Sequence, residues 1–387
     1  MITSRRELLA FVAALVVSPR PGEAQPQPRR RAPTIDPLRR ECGTCVMAGF
    51  SGLALPRTLA TLLDHDALGG VFLLRPRRPG IASEHVRALT DDARLRGPRD
   101  APALVAVDQE GGVVARLTPP MFRIPTARQL GTIGDPALTE RVAAAAGASL
   151  AAMGVSLNFA PVLDVRTARN PLIAPRAFGT DPAVVARHGE AWIRGTQRSV
   201  AACGKHLPGH GPTRADSHAA LPRVDLDRAH VMANELVPFR AAVAAGVDTL
   251  MLGHLVYRAF DARLPASLSP AIATDLVRRE LGFRGVVVTD DLEMGAIRTV
   301  GGAVRATVSA IRAGVDLALV AHSPAVALRA IDALVAAASR DEALRRRVHE
   351  SSERVRALRR TLATRMAGAS PQPPDVSALE RELRDRL

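Results

Sequence analysis

The sequence predicts an α/β protein built as a single (β/α)8 TIM-type barrel, and three observations predict it. Eight short β-rich apolar runs recur along the chain, amphipathic helical stretches such as Arg228 to Ala245 and Val304 to Ala313 lie between them, and six of the runs end in a polar residue. Continuous apolar runs alternating with helices indicate a parallel sheet covered by helices. Eight such units in 387 residues fit one barrel.

Residues 1–24 read as an export signal. Arg5 and Arg6 precede an apolar run, Leu8 to Val17, too short to span a bilayer, and Ala24 follows Pro19 and Pro21 as a small residue at a cleavage point. The context Ser4-Arg5-Arg6-Glu7-Leu8-Leu9 resembles a twin-arginine signal, so the expected location is the periplasm, with the cytoplasm as the alternative. No cysteine follows the apolar run, so no lipid anchor or stable membrane attachment is expected. Residues 25–34, rich in proline and arginine, read as a disordered linker. The barrel domain is expected over residues 35–366.

Its strands are placed at Val46 to Phe50, Gly70 to Leu74, Ala103 to Val107, Val155 to Pro161, Val200 to Cys203, Thr249 to Leu252, Val286 to Thr289 and Leu317 to Val320. Asp108 follows the third strand, Asp164 the fourth, Lys205 and His206 the fifth, His254 the sixth, Asp290 the seventh and His322 the eighth. One end of the barrel is therefore loaded with chemistry, and barrel enzymes work at that end. The connections Arg166 to Asp181 and Gly209 to Pro222 are long enough to supply loops over the mouth. Residues 367–387 read as a Pro-rich linker and a short charged helix, Val376 to Leu387.

The 52 basic and 38 acidic side chains give a formal charge of +14, which would suit an acidic polymer. Near-total use of arginine over lysine points instead to compositional bias, and 3% aromatic residues leave no stacking platforms, so no nucleic-acid partner is expected. Of the three cysteines, Cys42 and Cys45 have redox spacing but lack a thioredoxin-like setting. They read as apolar filler, and the odd count leaves at least one free thiol.

Lys205 is the only lysine in the chain. A lysine is a compact charge with rotatable donors, suited to a sugar hydroxyl or a Schiff base, where arginine offers a fixed planar fork. Pro208 and Gly209 prevent a helix across Lys205 to Gly211, so His206 and His210 cannot share a helical face.

The string KHLPGHGPTRADSH at Lys205 to His218 resembles the signature of bacterial β-N-acetylglucosaminidases of glycoside hydrolase family 3, the peptidoglycan-recycling type. The resemblance extends to VDQEGG at Val107 to Gly112, NFAPVLDV at Asn158 to Val165, and PASLSPAIATDLVRRELGFRGVVVTDDLEMGAI at Pro265 to Ile297. It implies the same barrel without the second sandwich domain of many family members. It also implies a retaining exo-glycosidase of the β-N-acetylhexosaminidase type acting on peptidoglycan fragments or chitooligosaccharides. No metal or organic cofactor follows from it. Its nucleophile falls on Asp290, and its proton donor on His218, with Asp216 accepting from the other ring nitrogen. Asp108, Arg176, Lys205 and His206 become sugar-holding groups, with Arg116 beside them; His210, His254 and Asp164 are candidates for support. Asp291 is expected to cap the helical stretch Leu292 to Ile297, with Glu293 as a first-turn charge. Gly111 and Gly112 are expected to let the backbone approach the ligand. The family commonly carries an arginine directly after this glycine pair, where the chain has Val113 and Val114 and keeps only Arg116. The departure bears on the support of Asp108 and on recognition beyond the first sugar.

Four other readings stay open at this point: a related glycosidase acting on glucosides or xylosides, an N-acetylglucosaminide phosphorylase, a Schiff-base lyase using Lys205, and a non-catalytic glycan-binding protein. The oligomeric state stays open, and a monomer is assumed.

Overall fold

The computed structural model describes residues 35–75, 82–118, 121–167, 170–213, 221–370 and 372–387. The expected signal and linker at 1–34 lie outside the described residues. The barrel strands are β1 (Val46–Ser51), β2 (Gly70–Arg75), β3 (Leu104–Val107), β4 (Leu157–Asn158), β5 (Ala201–Leu207), β6 (Thr249–Leu252), β7 (Val286–Thr289) and β8 (Ala318–Val320). Each pairs in parallel with its neighbour in sequence from β1 to β7, and β8 pairs with β1. A single bridge, Val288 to Leu317, brings β8 against β7, so the wall is a nearly closed parallel barrel. Among the described residues no helix is long and apolar enough to cross a membrane.

Side chains alternate across this wall with period two. Met47, Phe72, Leu104, Phe159, Cys203 and Val288 fill the lumen, while Ala48, Val71, Val105, Ala202 and Val287 pack outward under the helices. Continuing the inward phase upward from Leu104 and Ala106 reaches Asp108. The same step from Ala201 and Cys203 reaches Lys205, and from Val286 and Val288 it reaches Asp290. Three charged residues thus share the top layer of the lumen because of the pleat alone.

The strand ends depart from expectation where the site begins. β4 is a two-residue strand, not a run to Pro161: Ala160 N–H turns onto Asn158 O, and pairing resumes only at the bridge Val162 to Lys205. β5 continues through Leu207, so Lys205 and His206 are strand residues and not part of a following loop. Opposite β6, Gly204 pairs with Leu250 and Leu207 with Leu252, which puts one extra residue in β5. Such a bulge re-aims side chains. It accounts for two consecutive residues both serving the site in a strand where neighbours should face opposite ways. The expected helix Arg228 to Ala245 is two helices, Arg228–Ala233 and Val237–Ala244, because Pro238 cannot sit inside a helix but suits the first turn of a new one.

The opposite end of the barrel is sealed by the helix Glu342–Met366. Its Val355, Leu358 and Leu362 join the lumen cluster from below. Its arginines fasten it to the strand entries: Arg359 donates to Asp66 (2.7 Å) and Ala101 O, and Arg365 to Asp248 (2.6 Å). Arg347 (2.5 Å) and Arg354 (3.2 Å) reach Asp316, which also accepts from Arg278 and from Val287 N–H. The C-terminal helix Ser377–Arg386 buries Leu383 and is held by Arg386 to Asp135 (2.7 Å) and Glu382 to Arg141 (2.5 Å).

Asp316 is fully buried and gathers three guanidiniums, so removing it leaves Arg278 and Arg354 without a carboxylate and Arg347 with Glu350 alone. Asp316→Ala is expected to cost about 3–5 kcal/mol of stability, measured as a fall in the urea midpoint at unchanged slope.

Candidate active site

The mouth of the barrel is organised by a hairpin, a bulged strand and a loop. The hairpin, Gln109–Gly111 paired with Val114–Ala115, follows β3 directly. Asn158 at the end of β4 holds it in place, accepting from Gln109 N–H and donating to Gln109 O, each at 3.0 Å. Gly111 adopts φ +101°, and a Cβ there would stand 2.4 Å from Pro125 O; one on Gly112 would stand 2.3 Å from the Thr126 side chain. The glycine pair is therefore needed for close approach to the chain itself.

This hairpin places Glu110 in the interior, where it becomes the counter-charge of two cations. Lys205 Nζ lies 2.8 Å from Asp108 Oδ1 and 2.7 Å from Glu110 Oε1. Arg176, on the loop between β4 and the helix Pro182–Thr196, grips Glu110 with two bonds of 2.8 Å. Burial alone would raise the Glu110 pKa, but Arg176 and Lys205 outweigh it and hold the carboxyl below the usual carboxylate range. Burial alone would lower that of Lys205, and Asp108 and Glu110 outweigh it in turn, raising the pKa above its ordinary value. An amine held as ammonium in this way is unsuited to carbonyl addition, which needs a depressed pKa.

A second chain of bonds continues from the same loop. An N–H of Arg176 points to His206 Nε2 at 3.5 Å, and His206 Nδ1 donates to Asp164 Oδ2 at 2.8 Å. The other Asp164 oxygen accepts from His206 N–H (3.2 Å) and His210 N–H (2.6 Å). Asp164 is fully buried, and although burial opposes its charge, His206 brings its pKa down. His210 packs edge-on to His206 and is held by Asn170 and Thr213. Tyr257 donates to Gly209 O at 2.5 Å and pins the turn below.

Asp290 stands one step beyond β7, partly exposed at the mouth. Its Oδ1 accepts from Asp291 N–H at 2.8 Å, and Oδ2 takes no hydrogen bond from any described residue. Burial opposes its charge, but His206, His254, the Asp291 N–H and Lys205 bring its pKa down to about 2. It is an ionised carboxylate at neutral pH, and such a group can attack an electrophilic carbon.

The remaining candidates fall into place around these. His254 is fully buried under the site: its Nε2 donates to Asp291 O (2.9 Å), Nδ1 lies 2.8 Å from Ser267 Oγ, and burial lowers its pKa. Arg116, from the end of the hairpin, brings a guanidinium to 3.8 Å from Asp108, and its buried Nε has no hydrogen-bond partner. It thus reaches the carboxylate that Val113 cannot, while Val113 itself is 68% exposed at the hairpin tip. Asp216 and His218 lie outside the described residues.

Two expectations are corrected. Asp291 is not a helix cap: the helix is the short Gly295–Arg298, and Asp291 instead accepts from Glu293 N–H and Ala321 N–H and faces His322 at 3.1 Å. Glu293 is not a first-turn charge, since it accepts from His322 N–H and Ser323 N–H and ties the ends of β7 and β8 together. Both carboxylates precede the helix because Met294 is extended.

Comparison with known proteins agrees with this fold. The glycosyl hydrolase family 3 N-terminal domain matches residues 39–358. A β-hexosaminidase of Chromobacterium violaceum is 38% identical over 299 residues, covering 76% of this chain and 81% of that protein. The structure of a family 3 β-N-acetylglucosaminidase from a Paenibacillus species superposes with a TM-score of 0.83 at 37% identity, covering 90% of this chain and 68% of that one. A β-N-acetylhexosaminidase from Beutenbergia cavernae superposes at 0.78 with 32% identity, covering 84% and 99%. The chain belongs to glycosyl hydrolase family 3, and it is an enzyme, a glycoside hydrolase of the β-hexosaminidase type.

Proposed function

We propose that the chain is an exo-acting, retaining β-N-acetylglucosaminidase that removes terminal β-linked N-acetylglucosamine from peptidoglycan fragments after export to the periplasm. The observation that carries this reading is the disposition of Asp290, ionised at the barrel mouth with one oxygen fixed and the other open. A nucleophile held by one hydrogen bond keeps its orientation without losing the lone pair that attacks.

In the first step Asp290 Oδ2 bonds to the anomeric carbon as the glycosidic C–O bond breaks, and His218 gives its proton to the departing oxygen. In the second, water attacks the same carbon, His218 takes a proton from it, and the bond to Asp290 breaks. Asp216 orients the imidazole. Asp108 accepts from sugar hydroxyls, Lys205 and Arg176 donate to them, and His206 and Arg116 complete the ring of contacts. The ion pairs among these groups fix them before substrate arrives, so little ordering remains to be done at binding. The names of the similar proteins support the acetamido sugar as the substrate unit.

Hydrolysis of aryl β-N-acetylglucosaminide against aryl β-glucoside tests the sugar. The wild type is expected to cleave the first and leave the second, and Asp290→Ala to lower kcat/KM by about 10³-fold or more, about 4 kcal/mol of transition-state stabilisation. Full activity in Asp290→Ala would remove the nucleophile from this scheme. His218→Ala is expected to lose about 10²–10⁴-fold on substrates with poor leaving groups and far less on activated aryl groups; an equal loss on both would exclude proton donation.

The pH profile separates the two groups. The folded-state pKa of Asp290, about 2, lies below the ordinary 3.8, so its charged form is present throughout the neutral range and is lost only as pH falls toward 2. Accordingly kcat/KM measured from pH 4 to 9 should show no acid limb from Asp290. On poor leaving groups it should fall as pH rises through the range where an imidazole loses its proton, about 6.5 unperturbed. His218→Ala should lack that alkaline limb.

A further inference from the structure

Behind the loop that carries Arg176 lies a cleft of about 260 Å³. It opens between the helix Ala127–Ile133 and residues 178–184, well above the roughly 30 Å³ share of one water. Arg128, Arg166, Thr180 and Asp181 give its wall a polar character. Neither guanidinium makes a hydrogen bond or ion pair with any described residue, and Arg166 Nε is shut off from solvent with no acceptor. The single carboxylate on the wall, Asp181, is engaged at the start of its own helix, accepting from Ala183 N–H at 2.8 Å.

Two guanidiniums without a counter-charge on one wall repel each other. A bound oxyanion relieves this through their outer nitrogens, because guanidinium forks match carboxylate and phosphate oxygens and act more strongly where water is partly excluded. We propose that this cleft is an oxyanion-binding site, separate from the barrel mouth, with Arg128 and Arg166 as its cationic walls and the Thr180 hydroxyl as a further donor. Its ligand is a phosphate or a carboxylate. Both walls are fastened to the stretch that carries Arg176: Arg128 N–H donates to Pro175 O (3.4 Å) and Arg166 N–H to Gly179 O (2.9 Å). An anion held by both arginines would therefore clamp that stretch from outside.

Thermal unfolding of the wild type, Arg128→Gln and Arg166→Gln is measured in inorganic phosphate, in a dialanine peptide with a free carboxyl end, and in chloride at matched ionic strength. The wild type is expected to gain about 3–5 °C over chloride in at least one of the two at about 100 times its dissociation constant. Each variant should lose that gain, and both should keep aryl-substrate turnover, since neither arginine is assigned to the reaction. A gain in phosphate identifies a phosphoryl source, and a gain in the peptide alone identifies a peptide carboxylate. No gain over chloride in either, or the same gain in both variants as in the wild type, overturns the proposal. These readouts do not depend on hydrolysis, so failure here leaves the glycosidase reading standing.

Discussion

The ammonium of Lys205 sits 3% exposed at the top of the lumen, and the mouth of the barrel is arranged around making that burial tolerable. A lone buried charge would be driven to neutrality. Two carboxylates within 2.8 Å prevent this, and one of them, Glu110, is shared with Arg176. Three separate pieces of chain are locked by that shared carboxylate: the bulged strand β5, the hairpin after β3 and the loop after β4. Removing Glu110 would take a counter-charge from both Lys205 and Arg176 at once, which ties the three pieces to one another.

The same logic runs at the other end of the molecule with the signs exchanged. There aspartates are the hubs and arginines the spokes, with the buried Asp316 and the half-buried Asp66 and Asp248 collecting the guanidiniums of the helix Glu342–Met366. That end uses its charges to close the lumen. The mouth spends its charges on groups that face inward and remain partly open, Asp108 and Asp290 above all. Much of the arginine excess that looks like compositional bias is therefore committed to specific pairs. The two guanidiniums behind the Arg176 loop are not among those pairs.

Much of the site was legible because it lies on regular strands. Period-two alternation carried Asp108, Lys205 and Asp290 into one layer, and Val286 to Thr289 needed no correction. His206 was harder: alternation places it on the outer face, and only the extra residue in β5 turns it inward. Glu110 lies next to the glycine pair, where nothing adjacent in sequence marks it as a counter-charge. Counting charges would have found it, since Lys205 and Arg176 are two cations facing one assigned carboxylate, Asp108. Asn170 and Tyr257 offered no such signal, because a side chain that serves a distant backbone carbonyl leaves no spacing to read.

The sequence by itself determined the eight-stranded parallel wall, the end of it that carries the chemistry and the family, since each follows from periodicity or from contiguous motifs. Tertiary structure decided which charges neutralise which. Lys205 and Glu110 are 95 positions apart in the chain, and Asp291 and Glu293 turned from a helix cap and a first-turn charge into ties between strands. Local propensity describes what a residue prefers among its neighbours in sequence, whereas a buried charge answers to whatever the fold brings within about 3 Å, and that distance is set by barrel closure and not by the chain's local order.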